Sequence, residues 1–400
     1  MRRVVIGWMM ICLSVVITGC WDRVEIEERG FVIGVAIDLA ESEKDDQSME
    51  SAERPKGKER FVVTFQFVIP EALKTEGGGT AKPFLNLSTE SETMMEAVRQ
   101  LATRTSRTAN FSHIKVLIVS DEAAKKGAFA DAIDLFLRDH EMRRGTKVFI
   151  SDGKARDALD IEQPIEKLPV MFIRSVAENT HRTARMYPTV RIGDLHDKLL
   201  SKRSYGVPRI ISTKDEVKIA GTAVIQGREN KMVGWLGEEE TIGLNCILGE
   251  VEGGVEKIEL GDSLVVYEYR GKSSSIDADV SNKENIKFTI TIETEGMIPD
   301  SMETVDWQDP KVVKKVEERV QEETLRIAYR AANKLQKEFK VDAMRLGEYL
   351  HDYHPDVWAV LKDDWDTGKH YFSKSTIQLE AKVIVRNSGV IYKSEPMQGG

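Results

Sequence analysis

Hydrophobic and polar residues alternate in several short segments of the first half of the chain, and this period of two predicts β-strands. Segment 31–40 places its large apolar side chains on one face, namely Phe31, Ile33, Val35 and Ile37. Gly34 and Ala36 fall on the opposite face and leave room for close packing. Further strands are predicted at 61–69, 114–119 and 147–151.

Helical periodicity separates these strands. Thr89-x-x-Glu92 matches a capping box, which predicts a helix directly after it, with apolar positions at Met94, Val98 and Leu101. Other helices are predicted at about 122–139, at 155–159, at about 165–185 and from Ile192 onward. Strands that alternate with helices favour a mixed sheet with helices packed on it.

The second half of the chain is richer in strands. Segments 220–226 and 231–236 are joined by four polar or glycine residues and predict a hairpin. Strands are also predicted at 264–269, 287–293 and 375–386. Apolar and charged residues alternate in the last of these, so we expect one buried and one solvated face, as in an antiparallel sheet.

The longest predicted helix lies between the last two strands. Asp309 suits an N-cap and Pro310 suits the first helical position. Its apolar stripe consists of Val313, Val316, Val320, Thr324, Ile327, Ala331, Leu335 and Phe339. About 30 residues with a rise of about 1.5 Å each give a length of roughly 45 Å. We expect this helix to cover the final sheet; a stripe that partly docks on another subunit is the alternative.

Together these elements predict an α+β protein of several domains, with mixed and antiparallel sheets and packed helices. A signal peptide is placed at 1–19, and an N-terminal α+β domain at 20–205. A small strand-rich middle domain follows at 206–252, and a C-terminal α+β domain with the long amphipathic helix covers 253–400. The second boundary rests on the glycine-rich stretch 249–254.

The N-terminus combines a basic tip, an apolar core and small residues, as a secretory signal does. The apolar core, residues 4–17, is short for a membrane span, which needs about 20 apolar residues, and an uncleaved helix is the alternative. Ile17-Thr18-Gly19-Cys20 resembles a bacterial lipobox. That resemblance implies cleavage before Cys20 and a covalent diacylglycerol and N-acyl lipid on this residue. Two or more acyl chains would anchor the protein lastingly, because one chain alone binds marginally.

Composition and charge narrow the classes of partner. The chain has 400 residues, of which 41% are hydrophobic and 31% are charged, so it is globular and long enough for two or three domains. Loss of Arg2 and Arg3 with the signal leaves 55 Lys and Arg against 66 Asp and Glu. This acidic balance argues against nucleic acid and against a polybasic attachment to anionic lipid.

Cysteine usage offers no disulfide within the mature chain. Cys12 leaves with the signal and Cys20 carries the lipid, so Cys246 stands alone. Its neighbours include Ile242, Leu244, Ile247 and Leu248, so we expect a small buried hydrophobe and no nucleophile.

Candidate metal and catalytic motifs are weak. Segment 351–356 contains two histidines and two aspartates, with His370 nearby, but His351 and His354 are three residues apart and are followed by Pro355. A zinc-protease helix needs histidines four apart, so we predict a helix end and no metal site. Asp277-x-Asp279-x-Ser281 lacks the glycine and closing glutamate of a calcium loop, and we predict a turn. We predict no catalytic residues, no enzyme activity and no cofactor besides the lipid.

Several short segments occur in a specific order along the chain: Cys20-Trp21-Asp22-Arg23-Val24-Glu25-Ile26-Glu27, Gly34-Val35-Ala36-Ile37-Asp38, residues 113–124, residues 136–143, Gly221-Thr222-Ala223-Val224-Ile225, Val341 to Glu348, and His354 to Trp358. This ordered set resembles the Ger(x)C family, the C-subunit lipoproteins of spore germinant receptors. One departure is Ala343-Met344-Arg345-Leu346-Gly347, where a Phe-Gly-Phe-Gly-like turn is expected. The departure puts the local turn in question.

The resemblance implies a three-domain α+β lipoprotein on the outer face of the inner spore membrane. It implies two multi-span membrane subunits, of the A and B type, as partners that sense amino acids, sugars or similar nutrients. It implies no known catalytic activity. The charged residues directly after the anchor are either a solvated spacer or a contact to these partners: Asp22, Arg23, Glu25 and Glu27.

Our leading hypothesis is therefore a non-catalytic, lipid-anchored receptor subunit that acts by assembly and signal relay. A lipoprotein solute-binding protein is the second hypothesis. It would show two lobes with parallel sheets and a ligand cleft, whereas the alternating strands after Leu264 favour antiparallel sheets. An extracytoplasmic hydrolase is the third, and it would need a nucleophile and base that the sequence does not display.

Overall fold

The N-terminal part of the protein is built on one large mixed sheet. The structure is a computed structural model, and it describes residues 29–41, 59–74, 82–162, 165–213, 216–261, 263–301, 307 and 309–387. The strands of this sheet are β1 (Arg29–Leu39), β2 (Phe61–Val68), β3 (Phe84–Ser91), β4 (Thr108–Asn110), β5 (Val116–Ser120), β6 (Lys147–Asp152), β7 (Tyr205–Ser212), β8 (Val217–Gln226) and β9 (Lys231–Leu236). Their order is β3-β2-β1-β5-β6-β7-β8-β9, and β4 pairs with β1.

Helices cover both faces of this sheet. They are α1 (Pro70–Lys74), α2 (Met94–Leu101), α3 (Asp121–Lys125), α4 (Phe129–Arg138), α5 (Asp157–Asp160), α6 (Pro169–Val176), a 3₁₀ turn (Asn179–Arg182), α7 (Ile192–Ser201) and α8 (Glu238–Leu248). The central strands pair in parallel and the outer strands pair antiparallel. Strand β5 is buried along its whole length, as expected for a parallel strand covered on both faces.

A β-bulge in β1 places Ile33 on a different face of the sheet from the one predicted. The register of β1 against β2 shifts between Val32 and Gly34. A bulge inserts one residue and moves the following side chains to the other face. Ile33 therefore lies in a different core cluster from Val35 and Ile37, although the alternation predicted one shared face. The close packing predicted at Gly34 is confirmed, since a Cβ there would lie 2.2 Å from Cγ2 of Val170.

Several predicted helices start or end elsewhere. The capping box uses Thr93 and not Thr89, because Thr93 Oγ1 accepts from the Glu96 N–H at 3.2 Å while Thr89 is still in β3. The predicted helix 122–139 is two helices, α3 and α4, separated at Gly127, whose φ is +84°. The predicted helix 165–185 is the shorter α6 followed by the 3₁₀ turn.

The segment 206–252, predicted as a separate middle domain, does not form its own sheet in the described residues. The predicted hairpin is present as β8 and β9. However, β8 pairs antiparallel with β7, and β7 pairs in parallel with β6. Backbone groups along β7 thus find partners on both sides, and the hairpin extends the N-terminal sheet.

A second sheet of four strands forms the C-terminal part. Its strands are β10 (Val255–Leu260), β11 (Ser263–Asp279), β12 (Lys287–Ser301) and β13 (Thr376–Asn387), in that order. The helices are α9 (Pro310–Asn333), continued by a π-helix (Lys334–Phe339), then α10 (Leu346–Tyr353), α11 (Pro355–Leu361), a 3₁₀ turn (Lys362–Asp364) and α12 (Tyr371–Lys374). This architecture confirms the predicted α+β class.

The pairing of the last strand differs from the antiparallel arrangement expected. Strands β10, β11 and β12 are antiparallel neighbours, but β13 pairs in parallel with β12. The helical segment from α9 to α12 provides the long crossover that parallel neighbours require. The predicted solvated face is confirmed, because exposed residues alternate with buried or half-buried residues along β13.

The long helix α9 matches its prediction closely. Asp309 Oδ1 accepts from the Lys311 N–H at 2.9 Å, and Pro310 occupies the first turn. The predicted stripe supplies buried residues at Val316, Val320, Thr324, Ile327, Ala331 and Leu335. α9 contacts β13, β10 and α8, so it covers the second sheet as expected. Within the described part of the chain, we find no helix long and apolar enough to span a bilayer.

Candidate functional site at the seam between the two sheets

Helix α8 lies between the two sheets and contacts strands of both. Nearly all of it is buried, including the polar residues Glu240, Thr241 and Asn245. A helix that is buried on every side packs between two layers of the fold, whereas a helix that covers a single layer keeps one side in solvent. We use the name seam for the interface that α8, α9 and segment 342–366 form between the nine-stranded and the four-stranded sheet.

Close backbone packing joins α8 to α9. A Cβ at Gly243 would lie 2.2 Å from the carbonyl oxygen of Ile327 and 3.0 Å from Cβ of Ala331. Real Cβ atoms do not approach backbone oxygens this closely, so the helices can pack at this distance because residue 243 is glycine. The two sheets are therefore held by a helix pair with little space between the backbones.

Buried hydrogen bonds tie α8 to the N-terminal part. Thr241 Oγ1 lies 2.9 Å from Thr222 Oγ1 of β8. Asn245 Nδ2 donates to the carbonyl oxygens of Ala184 at 2.9 Å and Met186 at 2.8 Å. Buried polar groups of this kind are costly unless paired, so they fix the position of α8 on the first sheet.

An ion-pair network ties α8 to α9. Glu239 accepts from Arg326 and Arg330, and Glu240 Oε2 accepts from Lys334 Nζ at 3.0 Å. Only 11% of the Glu240 side chain is exposed, so solvent screens this pair less than the isolated pairs on the surface. These ion pairs therefore add charge-specific contacts between the two helices to the close packing at Gly243.

Asp342 organises the turn that leads from α9 into α10. Its buried carboxylate accepts from the backbone N–H groups of Met344 at 3.1 Å, Leu346 at 3.2 Å and Gly347 at 2.6 Å. It also accepts from Trp365 Nε1 at 2.8 Å. A carboxylate with four donors fixes the path of the backbone around it. A tight turn thus forms here although the sequence departs from the family pattern.

Two further features shape this turn. Arg345 has a φ of +65°, in the left-handed region, at the start of α10. A Cβ at Gly347 would lie 2.8 Å from Cη2 of Trp358 and 3.0 Å from Nε1 of Trp365. The two indole rings therefore pack directly against the backbone of the turn.

Asp366 connects the turn to the N-terminal sheet. Its Oδ1 accepts from the Asp342 N–H at 3.0 Å, and its Oδ2 accepts from the Ser204 hydroxyl. Ser204 Oγ in turn accepts from the Gly227 N–H at 3.0 Å, in the turn between β8 and β9. Burial, and then the charge of Asp342, raise the pKa of Asp366 to about 7. Burial also raises the pKa of Asp342, although its donors oppose this.

A cavity of about 630 Å³ opens beside this network, and we refer to it as the seam cavity. Both halves of the protein line it, with Tyr187, Lys198 and Tyr205 from the N-terminal part and Arg345, Trp365 and Asp366 from the C-terminal part. Its volume is within the range of sites for small molecules.

Ser204 and Asp366 are not accompanied by a histidine among the described residues of the cavity wall. A serine nucleophile needs a base, most often histidine, between it and the carboxylate. Among the described residues that line the seam cavity none is histidine, and Ser204 bonds directly to Asp366. The arrangement holds two parts of the chain together.

The residues predicted for anchoring and partner binding lie outside the described part of the chain. These are Cys20, Asp22, Arg23, Glu25 and Glu27, together with the signal peptide 1–19. Their roles stay predictions.

The histidine-rich segment forms a helix end, as predicted. His351 Nδ1 lies 2.6 Å from Asp352 Oδ1 on the surface, and His354 separates α10 from α11. His370 precedes α12. In the regions that the structure describes, we find no group of three His, Cys, Asp or Glu side chains placed to hold a metal.

The predicted turn and the predicted buried cysteine are both present. Asp279 Oδ1 accepts from the Ser281 N–H at 3.0 Å, between β11 and β12. Cys246 is fully buried in α8, and burial raises the pKa of its thiol. Lys272 is buried beside it, and burial lowers the pKa of this ammonium group. The buried ammonium group carries no signal in the sequence, because Lys272 lies in the polar segment 270–275 of β11.

Sequence reasoning did not find the residues of the seam. Ser204 and Asp366 lie in polar segments, which predict solvated loops. Asp342 is a single charged residue in a short apolar segment. Two features could have drawn attention to them. Tryptophan adjoins Asp366 in the sequence, and the segment around Asp342 is among those that carry the family resemblance.

Comparison with known families gives two matches that together span most of the chain. Residues 22–212 match a family described as spore germination protein N-terminal domain. Residues 220–389 match a family described as spore germination B3/GerAC like, C-terminal. The two matches follow each other in order and leave only a short gap between them.

Named relatives agree with these matches over almost their full length. Spore germination protein YndF of Bacillus subtilis (strain 168) is 29% identical over 403 aligned residues, covering 98% of each chain. Spore germination protein A3 of the same organism is 28% identical and covers 95% of this chain and 96% of its own. Spore germination protein B3 is 23% identical, covering 96% and 98%.

A solved structure shares the fold. The crystal structure of the GerBC protein superimposes with a TM-score of 0.59 and 21% sequence identity. The match covers 88% of this chain and 98% of that one. The predicted mixed architecture with its long C-terminal helix is thereby confirmed.

The boundary between the two family matches falls inside the nine-stranded sheet. The N-terminal match ends with β7, and the C-terminal match begins within β8, the strand paired with it. The C-terminal segment therefore contributes β8 and β9 to the N-terminal sheet and α8 to the seam. Since both family matches are present in order over nearly the whole chain, the protein belongs to the GerAC family of spore germination proteins, as the Ger(x)C resemblance predicted.

Proposed function

We propose that this chain is a non-catalytic, lipid-anchored subunit of a nutrient germinant receptor. It assembles with multi-span membrane subunits of the A and B type at the outer face of the inner spore membrane. There it holds them in a defined arrangement and relays a change of conformation between them.

The observation that carries this proposal is the ordered pair of family matches at residues 22–212 and 220–389. The relatives named above are all called spore germination proteins and align with this chain almost from end to end. A shared role in germination is the simplest reason for likeness over a whole chain, and the role of C subunit follows from the Ger(x)C resemblance.

The geometry supports a role in assembly. The two family segments share one sheet, and the seam adds close helix packing, an ion-pair network and buried hydrogen bonds. A body joined in this way transmits displacement at one end to the other end, because packed interiors deform little. That property suits a subunit that couples partners without chemistry of its own.

The anchor rests on the sequence Ile17-Thr18-Gly19-Cys20. A lipid on Cys20 would place the charged residues that follow it at the level of the lipid headgroups. Asp22, Arg23, Glu25 and Glu27 are then our candidates for the first contact with the membrane subunits. The acidic body would stay at the membrane through its acyl chains alone, since it lacks a basic surplus.

Substitution of the anchoring cysteine tests this proposal. We expect Cys20→Ala to move the protein from the membrane fraction of spores and to slow the response to the nutrients that this receptor senses. Cys12→Ala is the matched control, because it removes a thiol from the same leader without touching the cleavage site. Immunoblots of spore fractions and the loss of spore optical density measure the two effects.

Full membrane retention of the Cys20→Ala protein would contradict lipid anchoring. A normal germination response after deletion of this chain, for every nutrient that activates spores of the organism, would contradict the receptor role. Intact mass spectrometry of the purified protein adds an independent check, since cleavage and acylation change the mass of the N-terminal peptide.

A further inference from the structure

The seam cavity contains a lysine that makes no ion pair within the described residues. Lys198 lines the cavity, and among the described residues no carboxylate lies within ion-pair distance of its ammonium group. Its main contact is the ring of Tyr205, whose centroid lies 5.5 Å from Nζ. Burial, and then the charge of Arg345, lower the pKa of Lys198, and the charges of Glu348 and Asp194 offset only part of this. An anion bound in the cavity would stabilise the charged form of Lys198 against both burial and the charge of Arg345.

Two arginines of the cavity wall are already paired. Arg345 Nη1 lies 3.0 Å from Glu250, and Arg203 Nη1 lies 3.7 Å from Glu348. Lys202 and Lys362 also line the cavity but are exposed, so Lys198 is the half-buried lysine of the wall that is free to bind an external anion.

A second polar group in the same wall also lacks a partner. Tyr205 is 2% exposed, and its hydroxyl makes no hydrogen bond within the described residues. A buried hydroxyl without a partner costs roughly 1–3 kcal/mol of stability. Most buried polar groups in proteins have a partner, so this hydroxyl is available to a ligand that enters the cavity.

The aromatic residues of the cavity wall suit the apolar part of a small organic molecule. Tyr187, Trp358 and Trp365 supply aromatic surface, and a volume of about 630 Å³ holds a molecule of metabolite size. A free ammonium group and a hydroxyl donor together recognise a carboxylate.

We propose that the seam cavity binds a small molecule that carries a carboxylate, with Lys198 as its counter-ion and the Tyr205 hydroxyl as a second donor. Because both halves of the protein line the cavity, such a ligand would contact both sides of the seam. The inference goes beyond the receptor role, and its failure would leave that role intact.

Ligand-detected saturation-transfer NMR on the whole mature chain tests the proposal. The probes are isosteric pairs that differ in charge, such as butyrate with butyramide, benzoate with benzamide, and indole-3-acetate with its amide. We expect at least one carboxylate to bind while its amide does not. Absence of binding for every carboxylate at 10 mM (roughly the weakest affinity the method detects), or equal binding of acid and amide, would overturn the proposal.

Variants locate the site. We expect Lys198→Met to weaken binding of the active carboxylate at least tenfold, and Lys257→Met, a lysine on the exposed surface of β10, to leave it unchanged. Tyr205→Phe removes an unpaired hydroxyl, so it should weaken binding without lowering the melting temperature. Unchanged binding in Lys198→Met would overturn the assignment, and so would unchanged binding in Tyr205→Phe.

Discussion

At the residue scale, the two carboxyl groups of Asp342 and Asp366 differ in what donates to them. Asp342 receives three backbone N–H groups and an indole N–H, whereas Asp366 receives one backbone N–H and one hydroxyl. Donors stabilise the ionised form of a carboxyl group, and burial near a like charge destabilises it. Asp366 is therefore the member of the pair whose titration falls near neutral pH.

This difference predicts a pH dependence of stability. The pKa of Asp366 is raised to about 7 in the folded state, so the folded protein binds more protons than the unfolded chain between about pH 4 and 7. The free energy of unfolding should fall as the pH rises through this window, by at most about 1.4 kcal/mol per pH unit for one carboxyl group. Asp366→Asn should remove this part of the slope, as measured by urea unfolding at pH 5, 6, 7 and 8.

Glu256 provides the control for this measurement. Burial, and then the charge of Glu323, raise its pKa to about 7, so it contributes a slope of the same sign. Glu256→Gln should remove its own share, and the double variant should remove both, because neither carboxyl group shifts the pKa of the other. A slope in Asp366→Asn equal to that of the unchanged protein would contradict the assignment.

The turn at Gly347 gives a second prediction at this scale. Alanine there would press its methyl group on the Trp358 and Trp365 rings, at 2.8 Å and 3.0 Å. We expect Gly347→Ala to destabilise the protein by about 1–3 kcal/mol, the usual cost of overpacking. Gly145→Ala is the matched control, since a methyl group at this position would point into open space, with no neighbouring side chain within 4 Å. Equal melting temperatures for both variants would contradict the packing argument.

At the scale of elements, helix propensity and packing act in opposite directions where α8 contacts α9. Alanine in a helix interior is normally better than glycine by about 1 kcal/mol. At Gly243, however, a methyl group would meet the Ile327 carbonyl oxygen at 2.2 Å. We therefore expect Gly243→Ala to destabilise the protein, against propensity, by more than Gly347→Ala does. Thermal unfolding by circular dichroism measures this, and a melting temperature raised by the substitution would show that the helices are not in close contact.

The same pair shows why some elements could be predicted from the sequence and others could not. α9 has one buried stripe and a solvated face, so its period, its cap at Asp309 and its length are all visible. α8 is buried on nearly every side and has no such period, so the sequence pattern predicts no helix there. β3 is a partly exposed outer strand with few apolar residues, and it was also not predicted.

Some differences between the predicted and the observed helix ends arise because one motif fits the sequence at two positions. Thr89-x-x-Glu92 and Thr93-x-x-Glu96 both fit a capping box, and pairing of β3 with β2 through Ser91 decides for the second. Strand pairing of this kind is a tertiary contact. For the same reason the seam was not predictable, because Ser204 and Asp366 are 162 residues apart in sequence and only the fold brings them together.

At the scale of the whole molecule, the shared sheet makes the two family segments dependent on each other. Strand β8 carries buried residues at almost every position, and seven positions of β7 pair with it. Removing β8 would expose this hydrogen-bonding edge and the apolar residues beside it. Exposed edges of this type lead to aggregation.

This dependence predicts how the protein behaves when it is divided between β7 and β8. Fragments 21–214 and 215–400 should each be insoluble when produced alone, since each lacks the neighbour of one of its buried strands. Produced together, they should co-purify in equal amounts, as a pull-down through a tag on one fragment followed by size-exclusion chromatography would show. Val224→Lys places a charge at a fully buried position of β8 and should abolish the association. A soluble, monomeric fragment 21–214 with a native circular dichroism spectrum would mean that the N-terminal segment folds by itself, and that the sheet does not couple the two halves.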